Sequence, residues 1–188
     1  MMPLETVFLG LILLFGIIGL MRGWVKEVLV SVGVLLALFV QQIIGQYILG
    51  PANRYLPILL DVPPDVSAPG QYTSVQFYAS SILLLVLTIF GYAGPTLVAR
   101  AGGKVARERV QDAILGLIIG LINGYLIIGT LWFYLDKFGY VIGGIQGPAE
   151  GSTGLIIVNT YLMPVWLSTP MLYLGIAITF VLIIVLFI

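Results

Sequence analysis

Hydrophobic positions along this chain come in blocks too long for a soluble core. They cover residues 4–21, where Glu5 is the only charge, and 28–49, 75–99, 113–135 and 171–188, which carry none. Each block is near or above the roughly 18 to 20 residues that cross about 30 Å of hydrocarbon at about 1.5 Å per residue. The pattern predicts an all-α, polytopic membrane bundle of four to five transmembrane helices. It forms a single transmembrane domain over 1–188, with outer loops at 50–74 and 136–170.

The last part is the least regular. Nothing from 151 to 188 is charged, and Pro164 and Pro170 break the stretch twice. Residues 155–166 are too short to cross, so they are expected to lie as an interfacial or re-entrant segment with Trp166 at headgroup level. Residues 171–188 are just long enough to span. They end in hydrocarbon without a polar tail, the pattern of a sequence that stops before its natural terminus. At the other end, the first block lacks a basic leader and a small-residue cleavage pattern before Arg22, so no cleaved signal peptide is expected.

Composition agrees with a lipid solvent: 60% of residues are hydrophobic and 9% charged. Eight basic and eight acidic residues cancel, which removes bulk attraction to nucleic acid. Their distribution is informative. Arg22 and Lys26 lie between the first two blocks, and Arg100, Lys104, Arg107 and Arg109 between the third and fourth; Arg54 and Lys137 fall on the opposite side. An excess of basic residues marks cytoplasmic loops, so the amino terminus is expected outside and both basic loops inside. The chain has no histidine and no cysteine. Neither the usual general base nor the usual zinc and haem ligands are present, and no enzyme activity, cofactor or metal is expected.

Three motifs stand out. At the first junction, Arg22 suits the carbonyl end of the first helix, Gly23 the turn, and Glu27 the start of the second, predicting a tight helical hairpin with Trp24 in the aromatic belt. At the end of the third block, Pro95 predicts a kink, beyond which Arg100, Lys104 and Arg107 share one face and are expected to contact anionic lipid. In the fourth block, Asp112, Gly116, Gly120 and Gly124 recur every four residues. Asp112 is expected to cap that helix, and the glycines form a groove for a helix of the same chain or of another. Asn123 and Asn159 are candidates for added hydrogen bonds between helices.

The segment 16–37, with its Arg22-Gly23-x-x-x-Glu27 core, and the stripe Asp112-x-x-x-Gly116-x-x-x-Gly120-x-x-x-Gly124 resemble the colicin V production protein (CvpA) family over about residues 4–135. The resemblance implies a small bacterial inner-membrane protein of about four helices, linked to colicin V production and envelope maintenance, without an assigned catalytic activity. A chain rich in helix-packing grooves and poor in reactive groups is expected to serve as a scaffold or accessory, with membrane lipids and other membrane proteins as partners, in a hetero-complex or a homo-oligomer. Two alternatives stand beside it: an accessory subunit of a large respiratory or photosynthetic complex, and a channel for a small neutral solute.

Overall fold

The computed structural model describes residues 3–44, 73–93, 109–167 and 169–187, all of it helix, turn or irregular chain. Helix α1 (Leu4–Arg22) starts after Pro3, whose missing N–H costs nothing at a helix start, and Glu5 places a carboxylate in the first turn. It ends at Gly23, with φ 82 and ψ 158, which also begins α2 (Trp24–Ile43). One glycine therefore makes the whole connection, in a conformation that side chains rarely adopt. Helix α3 covers Thr73–Ala93, and α4 covers Arg109–Lys137. Among the described residues, α1, α2 and the Val110–Lys137 part of α4 are long and apolar enough to cross a membrane, and α3 adds the shorter apolar run Phe77–Ala93.

The Gly23 corner is as sharp as the sequence implies, but its two arms do not pair along their length as a hairpin. Helix α1 packs chiefly against α4, whereas α2 packs chiefly against α3 and also against α4 and the last helix. The glycines explain the choice. A Cβ built on Gly120 would lie 2.5 Å from the Phe15 carbonyl oxygen, and one on Gly19 would lie 2.9 Å from the Gly120 Cα. Gly16, Gly19, Gly116, Gly120 and Gly124 thus let the two backbones touch, so the groove on α4 receives the chain's own first helix. Lipid provides no hydrophobic drive for helix association, so van der Waals contact at this distance supplies the attraction. A second seam joins α2 to α3, where a Cβ on Gly33 would meet the Leu87 carbonyl oxygen at 2.7 Å. Val30, Val34, Ala37, Leu84 and Ile127 fill the space around it.

Part of the stretch expected as an outer loop, 136–170, is helical. After turns at 139–152 come α5 (Thr153–Ile156), capped by the Ser152 side chain, a π turn (Ile157–Tyr161) and α6 (Met163–Trp166). The Leu162 N–H reaches back five residues to the Ile157 carbonyl at 3.1 Å, which defines the wide turn. Val158, Leu162 and Trp132 pack around Phe8, whose ring meets Trp132 edge-on at 5.2 Å. Asn159 stays exposed. Pro164 sits in the first turn of α6, where a proline is tolerated, rather than breaking a longer helix. Helix α7 (Thr169–Phe187) is uncharged and packs against α2. The kink expected at Pro95 and the lipid contact expected of Arg100, Lys104 and Arg107 fall outside the described residues, as does the expected loop 50–74 except for residues 73 and 74, which open α3.

Matched alanine substitutions test the glycine contact. Gly120→Ala forces a methyl against the α1 backbone and should cost about 1 to 3 kcal/mol. Gly10 meets nothing within 4 Å. Gly10→Ala should therefore leave stability unchanged or raise it by up to about 1 kcal/mol through helix propensity. Reversible unfolding in mixed detergent micelles measures both, and equal effects at the two sites would refute close α1–α4 packing.

Candidate functional site

The first junction holds most of the buried polar chemistry. Glu27 lies in the first turn of α2 and is 0% exposed. Its Oε1 accepts from the Arg22 guanidinium at 2.9 Å, and its Oε2 accepts from the Asn123 amide at 3.0 Å. The same Asn123 nitrogen donates to the Glu27 main-chain carbonyl at 2.9 Å. Ser31 lies one turn on, where its hydroxyl has two acceptors in reach: Asn123 Oδ1 at 2.6 Å and the Glu27 carbonyl at 3.2 Å. The Glu27 carbonyl and carboxylate can only accept, so they turn the Asn123 amide nitrogen towards them, and the one Ser31 proton goes to Oδ1 by the shorter contact. Each carboxylate oxygen of Glu27 has a donor, as a buried charge requires.

Arg22 does more than the sequence implies. At the end of α1 it was expected to serve that helix's own carbonyls. Its Nη2 instead donates to the Tyr92 carbonyl at 3.1 Å, near the end of α3, while the guanidinium lies 4.4 Å from the Tyr92 ring centroid. The cation thus stands where two helix dipoles present negative ends, and stacks on an aromatic face besides. Through Arg22, Glu27 and Asn123, four helices from distant parts of the chain share one polar network. Removing its charges from water is expensive, and only complete pairing makes it tolerable.

Asp112 is placed differently from expectation. The chain is already helical at Arg109, so Asp112 sits in the first turn of α4 rather than at its cap. Its carboxylate abuts Gly23, close enough that any side chain at Gly23 would strike it. Gly23 is the N-cap of α2 and offers no side-chain acceptor. Asp112 therefore places its negative charge at the positive end of the α2 dipole, although it belongs to another helix. Its Oδ1 is buried without a hydrogen bond.

The structure brings together Arg22, Gly23, Glu27, Asp112 and Gly116 at one end of the bundle, while Gly120 and Gly124 continue the α1 contact away from it. Sequence reasoning grouped Asn123 only as a general helix-to-helix donor and missed Ser31 and Tyr92. Glu27 and Ser31 are four apart on one face of α2, a signal that was available. Tyr92 lies seventy residues from Arg22 and carries no such signal. Gly16 and Gly19, three apart on α1, also mark a close-packing face.

A smaller polar group occupies the opposite end. Tyr134 donates to Gln41 Oε1, and Gln41 donates to the Ser80 carbonyl at 2.8 Å, joining α4, α2 and α3. Beyond α4, Tyr140 adopts φ 53. Its hydroxyl donates to Asp136 at 3.1 Å and accepts from Trp132 at 3.4 Å. Burial pushes the Tyr140 phenol up to about 12, so it remains a donor at neutral pH. Among the described residues, no three acidic side chains converge to hold a metal ion.

A double-mutant cycle tests the pairing. Arg22→Met leaves Glu27 buried without a counter-charge and should cost about 3 to 5 kcal/mol. Asn123→Ala should cost about 1 to 3 kcal/mol. Glu27→Gln in the Arg22→Met background should restore part of the first loss; strict additivity in detergent unfolding would show that the two side chains do not interact.

The sequence matches no curated protein and no solved structure. The profile of the family described as colicin V production protein matches residues 4–146, which includes α1 to α4 and every residue of the buried network. The chain belongs to the colicin V production protein family.

Proposed function

We propose that the protein is a non-enzymatic scaffold of the bacterial inner membrane that positions other membrane proteins, in envelope maintenance or in the toxin production or export for which the family is named. The observation that carries this reading is the use of buried polar chemistry. Arg22, Glu27, Asn123 and Ser31 bond to one another and to the backbone, joining helices. What the bundle presents to its surroundings is apolar: Leu13 and Ile17 of α1, Phe90 of α3, Ile118 of α4 and Phe180 of α7 are all exposed.

Arg22 and Lys26 sit at one end of the bundle and Lys137 at the other. With the basic residues at 100, 104, 107 and 109, this asymmetry supports a cytoplasmic position for the Gly23 corner and an outward amino terminus. Arg100, Lys104 and Arg107 supply anionic-lipid contact on that inner face. The aromatic end of α4, with Trp132 and Tyr134, and Tyr140 just beyond it, then lies at the outer headgroup level.

Co-purification from native membranes in mild detergent, with mass spectrometry of the captured proteins, tests the scaffold reading. Envelope or secretion components are expected, with recovery reduced several-fold by Arg22→Met at matched expression, because partners need the assembled bundle. Recovery of an isolated monomer, together with a deletion strain that has an intact envelope, would overturn it; enrichment of respiratory-complex subunits would reassign the protein as an accessory of that complex.

A further inference from the structure

We infer that α3 is a movable element, and that protonation of Glu27 releases it from the other helices. This goes beyond the scaffold reading and does not depend on it. Among the described residues, α3 receives two side-chain bonds to its carbonyls, one at Ser80 in its first half and one at Tyr92 near its end. Gln41 donates to the Ser80 carbonyl at 2.8 Å, and Arg22 donates to the Tyr92 carbonyl at 3.1 Å.

Between these fasteners the seam is smooth. Ser81, Leu84, Thr88 and Gly91 share one face of α3. Gly91 lies against Leu29 and Val30 of α2, so that face is the docked one. Ser81 and Thr88 are 7% and 4% exposed, and neither hydroxyl has a hydrogen-bond partner. The Tyr92 phenol oxygen is likewise buried without one. A docked face carrying two unused hydroxyls holds its partner less firmly than a satisfied one, and leaves those groups available to a shifted arrangement.

The Arg22 clamp depends in turn on Glu27. The guanidinium side chain is 19% exposed, and its ion pair with Glu27 is the counter-charge that keeps it there. The groups facing Glu27 and its clamp are Arg22 from α1, the Tyr92 ring and phenol from α3, Asn123 from α4, Asp112 of α4 beside Gly23, and exposed Lys26 on α2 itself. Adding a proton to Glu27 removes the negative charge. Arg22 is then a poorly hydrated, unpaired cation near the membrane surface, and its long stem lets it withdraw to the aqueous interface. Withdrawal gives up both the carbonyl bond and the ring contact, which loosens this end of α3, while among the described residues the Gln41 bond and the seam with α2 still hold the rest of it.

The chain has no cysteine, so two introduced thiols can be spin-labelled without background. Leu36→Cys on α2 and Phe90→Cys on α3 are both exposed positions. Pulsed electron paramagnetic resonance on the full chain in lipid nanodiscs should give one distance population at neutral pH and a second, longer one on acidification. Glu27→Gln in the same labelled background should show the longer population at both pH values, and Asp112→Asn should keep the wild-type response. An unchanged distance on acidification of the otherwise wild-type protein overturns the inference, and that series needs no Glu27 variant. A folded Glu27→Gln protein that retains the short distance at both pH values, or that responds to pH as the wild type does, overturns it too. Absence of co-purifying partners, with the distance still responding to acidification as expected, would leave the scaffold reading at fault instead.

Discussion

A carboxylate buried among lipid-embedded helices is stable only if its charge and both its oxygens are matched, and Glu27 imposes that condition on the rest of the fold. Its counter-charge must come from the end of α1, its second donor from the middle of α4, and the far side of its counter-charge must find a carbonyl on α3. No two of these groups are close in sequence except Arg22 and Glu27. The network therefore forms only when α1, α2, α3 and α4 have reached one mutual arrangement, which makes it a device of specificity more than of raw stability.

Close backbone contact makes that arrangement reachable. The α1–α4 glycine groove sets the depth at which Asn123 stands beside α2, and the Gly33–Gly91 seam brings the Tyr92 carbonyl within reach of Arg22. Polar matching and glycine packing are thus two parts of one design, since lipid supplies neither a hydrophobic drive nor water for an unpaired group. The one-residue corner at Gly23 ties them together. It ends one helix, starts the next, and leaves no room for a side chain against Asp112.

The helices were legible because their determinant is local: a run of about 20 uncharged residues has one stable form in lipid. Arg22, Gly23 and Glu27 stood out by residue type at a helix junction and the α4 glycines by their helical interval, although the Tyr92 carbonyl that Arg22 serves did not. Pairings were not legible. The short Gly23 turn implies that α1 and α2 lie side by side, but the glycines of α1 direct it to α4, and no spacing within α1 announces a partner about a hundred residues away. Asp112 was placed at the cap of its own helix for the same reason, when its carboxylate serves the start of α2. The helical turns at 153–166 were hidden by two prolines and many small residues, whose effect depends on the aromatic surface of α4 and α1 that receives them.

Solid-state nuclear magnetic resonance of the chain in lipid bilayers, with labelled arginine nitrogen and glutamate carboxyl carbon, reads the Arg22–Glu27 contact without altering either residue. A direct ion pair, 2.9 Å between nitrogen and oxygen, predicts strong nitrogen–carbon dipolar transfer to an ionised Glu27 at neutral pH. A neutral Glu27 carboxyl with no transfer from Arg22 would contradict the network on which the helical arrangement depends.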